Sequence, residues 1–148
     1  MEKRIEILSK SGVGRWVLEK TNPATIAIAT LFGGDRLACC DEGVALEVDG
    51  EIVGLATIAP TGEFGAGGKS TIVACFVRHE FRRRGYGYEI MMATIDRMRA
   101  RKLLKPYRTD ATSSPGLRVC QGLPEDYRAD LEIHDMSLGG LTNLVMLM

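Results

Sequence analysis

Ile5, Ile7 and Leu8, set among charged neighbours, predict a first strand. Residues 12–20 and 23–32 then predict two short helices. Asn22-Pro23 opens the second with an N-cap and a proline at the first helical position, where its missing N–H costs nothing, and Gly33-Gly34 closes it. Over residues 43–58, Asp49-Gly50 stands between two β-prone runs, a strong hairpin signal. A glycine-rich loop over 61–69 leads into 70–77, whose apolar composition suits a buried strand. From 85 to 105, Ile90, Met91, Ile95, Met98 and Leu103 recur at helical spacing until Pro106 stops the helix. A strand over 107–112, a short helix over 114–121 and a late strand over 127–133 complete the order β-αα-βββ-α-β-α-β. That order predicts an α/β or α+β layered fold.

The chain has 148 residues, enough for one domain with a real core and too few for two of ordinary size, so a single domain over 1–148 is expected. Nineteen basic residues balance nineteen acidic ones, which removes any overall electrostatic signal for nucleic acid or a membrane surface. Cys39, Cys40, Cys75 and Cys120 lack CxxC spacing, and neither His79 nor His134 lies near enough in sequence to suggest a zinc module, so no metal is expected. They read as reduced thiols of a cytoplasmic protein. The first residues are charged, and no apolar run approaches the ~20 residues of a membrane span, so neither a secretion signal nor a membrane partner is expected. The apolar end, 141–148, suits a last strand or a subunit contact such as a homodimer would use.

The chemistry concentrates in Cys75-Phe76-Val77-Arg78-His79-Glu80-Phe81-Arg82-Arg83-Arg84-Gly85-Tyr86-Gly87-Tyr88, a strand running into a basic, glycine-containing turn that opens a helix. The first N–H groups of a helix lack intrahelical partners and carry partial positive charge, so the junction is an anion site. Gly85 and Gly87 remove side chains that would hold a phosphate off the backbone, and the forked guanidinium groups of Arg82, Arg83 and Arg84 suit phosphate oxygens.

Arg82-x-x-Gly85-x-Gly87 resembles the Arg/Gln-x-x-Gly-x-Gly/Ala signature that the GNAT acetyltransferase superfamily carries after its fourth strand. Val77-x-His79-x-Phe81 looks like the family's Val-x-Pro-x-Tyr lead-in, with His79 where proline is common. The hairpin, the following strand, the long helix and the Asp110-Ala111-Thr112 strand end fall in family order, so the resemblance covers residues 40–125. It implies a mixed, mostly antiparallel central sheet flanked by helices, and acetyl transfer from acetyl-CoA to an amine by direct attack. It also implies that the amides from Arg83 to Tyr88 cradle the CoA pyrophosphate, that Cys75, Phe76 and Val77 hold the pantetheine arm, and that the Val77 N–H faces the thioester carbonyl. An amide there would stabilise the charge that develops on that oxygen.

The proton-transfer groups are less marked. Glu63, His79 and Asp110 are base candidates by neighbourhood. Many family members place an acid tyrosine on the helix after the fifth strand, but residues 113–121 contain none; Cys120 could occupy that space, and Tyr127 follows it. The departure leaves an acyl-CoA-binding sensor or interaction module of the same fold as the alternative. Gly68-Lys69-Ser70 resembles the end of a Walker A loop, yet Glu63 stands at its first glycine and a strand follows. Arg97, Arg99, Arg101, Lys102, Lys105 and Arg108 form a basic run that reads as a solvated helix face, and nucleic acid is not expected as a partner.

Overall fold

The computed structural model describes residues 1–20, 40–60, 69–111 and 114–135. The predicted helix over 23–32, the loop bearing Glu63 and the apolar end over 141–148 lie outside the described residues. Among the described residues, six strands form one sheet in chain order: β1 Lys3–Ser9, β2 Glu42–Val48, β3 Glu51–Ala59, β4 Thr71–Val77, β5 Tyr107–Ala111 and β6 Leu131–Asp135. The first four run antiparallel, whereas β5 is parallel to β4 and β6 to β5. The helices are α1 Lys10–Lys20, α2 Tyr86–Ala100, α3 Ser114–Gln121 and α4 Glu125–Arg128. The layered fold is the one the element order predicts, and the mixed, mostly antiparallel sheet with flanking helices is the one the resemblance implies.

The β2–β3 hairpin turns at Asp49 and Gly50 with φ of 51° and 84°, the paired positive values of a type I′ turn, whose twist matches that of the strands it joins. On one face of the sheet, Ile90, Met91, Ile95 and Met98 of α2 are fully buried against Val44, Leu46, Ala56, Ile58 and Ile72. Each such side chain contributes roughly 1.5–3 kcal/mol through area removed from water. On the opposite face, Val13, Trp16 and Val17 of α1 cover Ala45, Leu55 and Phe76. Alternation along β2 and β3 supplies both cores from the same strands.

Two boundaries differ from the sequence reading. The long helix ends at Ala100 rather than at 105: Lys102 takes φ 57°, and the Leu103 N–H returns to the Met98 carbonyl at 3.1 Å, closing the helix before Pro106. Leu103 still packs on the core from this turn, which is why it extends the apolar stripe in sequence. The late strand starts at Leu131, because Pro124 opens the single turn of α4, with the Arg128 N–H on its carbonyl at 2.9 Å. Tyr127 is therefore helical.

The basic run on α2 and after it is largely neutralised by ion pairs. Arg97 and Arg101 reach Glu42 at 2.8 and 2.9 Å, Arg101 also holds Asp41 at 2.7 Å, and Arg99 and Lys105 share Asp130 at 2.8 and 3.2 Å. These bonds tie α2 to the start of β2 and the approach to β6. The Arg97 hydrogen bond holds the Glu42 carboxyl below its ordinary 4.5, with Arg101 adding to it against the effect of burial. A depressed folded pKa stabilises above the unfolded value and is lost as pH falls through the folded one. Glu42→Gln should therefore cost about 1 kcal/mol at pH 7, allowing for the solvent at Arg97. The difference from the parent protein should shrink as pH drops below 4.5, as denaturant titrations at pH 7 and pH 3 would show.

Candidate active site

The strand β4 departs from regular pairing midway. Ile58 pairs with Ile72 and Thr57 with Ala74, leaving Val73 as the extra residue of a bulge. Bulges bend the strand that carries them. On the other side, β4 pairs with β5 only at Thr71↔Arg108 and Ile72↔Thr109, so the two parallel strands separate beyond that point. A gap opens along the C-terminal half of β4.

Its backbone polarity follows from one hydrogen bond. The Arg78 N–H donates to the Val53 carbonyl of β3 at 2.9 Å. Successive amides of a strand point to opposite edges, so the Phe76 N–H also faces β3, while those of Cys75 and Val77 face the gap. Arg82 Nε donates to the Val77 carbonyl at 3.0 Å and so closes the turn onto the strand end.

Beyond β4 the chain makes a single 3₁₀ turn, His79–Phe81, with the Phe81 N–H on the Arg78 carbonyl at 2.9 Å. Arg83 and Gly85 then take φ of 66° and 79° and swing the chain into α2. Among the described residues, no acceptor is found for the N–H groups of Arg83, Arg84, Gly85, Tyr86, Gly87 or Tyr88, and the first helical donor is Glu89, to the Gly85 carbonyl at 3.4 Å. Nor does any described carboxylate pair with Arg82, Arg83 or Arg84, all exposed. Arg84 lies over the Phe81 ring at 5.6 Å, and Arg78, on the ring's other contact at 5.2 Å, is spent on Glu51 and Glu80. The turn is a concave row of amides ringed by free cations, a nest for phosphate oxygens.

The two glycines of the signature have different surroundings. Gly85 is the left-handed N-cap of α2, and a Cβ there would meet open space, so its conformation requires glycine. A Cβ on Gly87 would sit 3.3 Å from Val119, so its hydrogen admits α3. Tyr86 points inward, with Lys3 over its ring at 5.4 Å and its hydroxyl donating to the Met1 sulfur at 3.6 Å; only its backbone belongs to the turn. Tyr88 packs at the end of α3, where a Cβ on Gly122 would meet its hydroxyl at 2.8 Å.

Cys75 is exposed on the C-terminal half of β4, and desolvation by the surrounding protein, with Cys120 close by, pushes its thiol pKa up to about 12, so it stays uncharged. Cys120 is buried on α3 near the Thr109 hydroxyl, and burial raises its thiol too. Asp110 is buried on β5 and accepts from Arg108 Nε at 3.0 Å, while His79 is exposed in the 3₁₀ turn. The hydroxyl of Tyr127 donates to Asp96 at 3.2 Å and its ring stacks under Arg99 at 4.7 Å, on the outer side of α2. That placement takes Tyr127 away from the gap.

Sequence reasoning missed a second polar cluster. On β6, Leu131 and Ile133 pack on the α2 core, so Glu132 and His134 project from the opposite face. Glu132 binds Lys69 through one oxygen and His134 Nε2 through the other, at 3.1 Å. The alternation Leu131-Glu132-Ile133-His134 was the available signal, but a strand expected to end at 133 leaves His134 outside it. Among the described residues no three His, Cys, Asp or Glu side chains group as metal ligands, and no helix is long and apolar enough to cross a membrane.

Residues 16–114 match the family model of the Acetyltransferase (GNAT) family. No curated protein matches the chain. Solved structures share its fold at low identity. AAC(6')-Iy in complex with the bisubstrate analogue CoA-S-monomethyl-acetylneamine superposes with a TM-score of 0.54 at 17% identity, over 84% of this chain and 92% of that one. A predicted acetyltransferase from Clostridium acetobutylicum, with acetyl-CoA, gives 0.51 at 16%, over 84% and 91%. The ribosomal-protein-alanine N-acetyltransferase of Brucella melitensis biovar Abortus 2308 gives 0.50 at 14%, over 91% and 81%.

Proposed function

The chain belongs to the GNAT acetyltransferase family, and from that premise we propose that it moves an acetyl group from acetyl-CoA to a primary amine by direct attack. The observation that carries the reading is the continuity of an unpaired strand edge with an unpaired amide turn. The N–H groups of Cys75 and Val77 line a gap that ends at the free amides of residues 83–88. A CoA molecule has the matching order of groups: a pyrophosphate for the turn, then an extended arm of amides for the strand edge, then the thioester.

The pyrophosphate binds the six amides of the turn, with Arg82, Arg83 and Arg84 supplying charge that does not titrate away. The pantetheine arm pairs with β4 as a neighbouring strand would, filling the place that β5 vacates. The Val77 and Cys75 amides then receive the arm and the thioester carbonyl. A backbone donor on that oxygen strengthens its bond as negative charge develops, so it lowers the barrier more than it tightens the ground state. Desolvation raises the Cys75 and Cys120 thiols and keeps both neutral, which disfavours capture of the acetyl group by the enzyme and favours direct transfer to the amine.

The test is release of free CoA thiol from acetyl-CoA with a panel comprising spermidine, an aminoglycoside and an alanine-initiated peptide. Amine-dependent, saturable thiol release is expected. Saturable acetyl-CoA binding with no release on any amine would instead indicate a binding module.

A further inference from the structure

We infer that His134, oriented by Glu132, accepts the proton of the acceptor amine, and that the face of β5 and β6 around it receives a cationic amine. The inference rests on the acetyl-transfer reading above.

Alternation assigns the faces. Tyr107 of β5 and Leu131 and Ile133 of β6 pack into the core under α2, and Thr109 meets Cys120 of α3. Arg108, Asp110, Glu132 and His134 therefore project from the other face, the side on which α1 lies. In register, Arg108 stands beside Glu132 and Asp110 beside His134, and Lys69 closes onto Glu132 from the start of β4. Lys69, Glu132 and His134 are each about a third exposed, at 36, 35 and 35%, so the cluster is open to a ligand.

The cluster borders the place where β4 and β5 part. Their pairing stops at Ile72↔Thr109, one residue before Asp110. The phosphate turn opens α2, and α3 leans on that helix at Gly87, so the donor occupies the α2–α3 side of the sheet. An amine must then enter the gap from the opposite face, past Asp110, Glu132 and His134. Asp110 and Glu132 present carboxylate oxygens to an ammonium there, and the Lys69 hydrogen bond holds the Glu132 carboxyl below its ordinary range.

An amine of lysine type, with pKa near ~10.4, arrives protonated and cannot attack. Imidazole is the side chain that exchanges protons near neutrality. With Nε2–H donated to Glu132, Nδ1 is the free acceptor, directly or through one water. Nδ1 takes one proton from the ammonium, and the neutral amine attacks the thioester carbonyl. The C–N bond forms, the C–S bond breaks, and CoA leaves as thiolate. The second amine proton protonates that thiolate through solvent, and the imidazolium returns its proton to water, so the net products are amide, CoA thiol and one proton.

The chain contains two histidines, His79 and His134, so ring resonances of ¹³C-histidine protein are assigned with a single variant. In the CoA-bound full chain, spermidine, an aminoglycoside or an alanine-initiated peptide should shift the His134 resonances and leave those of His79 in place. His134→Gln should lower kcat/KM for the amine by at least ~100-fold and abolish the acidic limb of its pH profile, with acetyl-CoA affinity unchanged. Glu132→Gln removes the carboxylate that orients His134 and faces the amine, so it should lower kcat/KM for the amine by about 10-fold with acetyl-CoA affinity unchanged. A His134 ring that no amine shifts, an unaltered pH profile in His134→Gln, or lost acetyl-CoA binding in that variant would each overturn the inference. Those outcomes leave the transfer reading standing, whereas no thiol release by the parent protein with any amine sinks both.

Discussion

Gly85→Val is expected to weaken CoA binding by at least ~100-fold while leaving a folded protein. Gly85 holds φ 79° at the point where the amide row turns into α2, a conformation a β-branched residue reaches only at a cost of about 1–3 kcal/mol. The chain relieves that strain by moving the turn, which is exposed and touches little core, so most of the penalty falls on the amide row rather than on global stability. Losing two hydrogen bonds to a charged phosphate costs about 3–6 kcal/mol, and ~2.7 kcal/mol already corresponds to 100-fold in affinity. Calorimetric titration with CoA, alongside a thermal melt, separates the two effects. Retained micromolar affinity in a variant with unchanged melting would show that the pyrophosphate does not lie on this turn. Because Gly85 faces open space and Gly87 faces Val119, the two glycines should not behave alike: a side chain at position 87 acts first on the packing of α3.

Gly54→Val should be among the most destabilising single changes in the chain, by about 3 kcal/mol, and should lower the melting temperature by roughly 6–12 °C. Gly54 stands opposite Val77 in the β3–β4 ladder. A Cβ there would lie 2.8 Å from the Ile90 side chain and 3.1 Å from the Val77 Cα, besides striking the Phe76 carbonyl. Only the isoleucine can give, and it is fully buried in the main core. The backbone of β4 must therefore retreat just where its outer edge faces the gap, so the surviving folded fraction should also bind acetyl-CoA less tightly. Chemical denaturation and CoA titration of the same variant check both consequences. A loss below 1 kcal/mol would mean that β3 and β4 can separate freely, against the close approach described here.

The site and the fold were legible in the sequence to different depths. The hairpin could be placed because Asp49-Gly50 encodes two positive φ values locally, and the signature Arg82-x-x-Gly85-x-Gly87 could be placed because a glycine turn between a strand and an amphipathic helix is itself a local pattern. The end of α2 was not legible, since Leu103 keeps the helical spacing after the backbone has left the helix. The basic run Arg97 to Arg108 read as a solvated face, and its neutralisation depends on Asp41, Glu42 and Asp130, carboxylates brought near only by the sheet.

By itself, the sequence determined the order of the main strands and helices among the described residues, the hairpin turn at Asp49-Gly50, and that a row of helix-opening amides sits among three arginines. Those properties depend on backbone preference and side-chain periodicity over a few residues. Tertiary structure alone decided that β4 parts from β5 after Ile72, that Cys75 and Val77 face the gap, and that Glu132 and His134 meet Lys69 on the far side of the sheet. Each of these rests on register between segments distant along the chain, and register is set by how two cores close on opposite faces of one sheet, a property that no short stretch of residues carries.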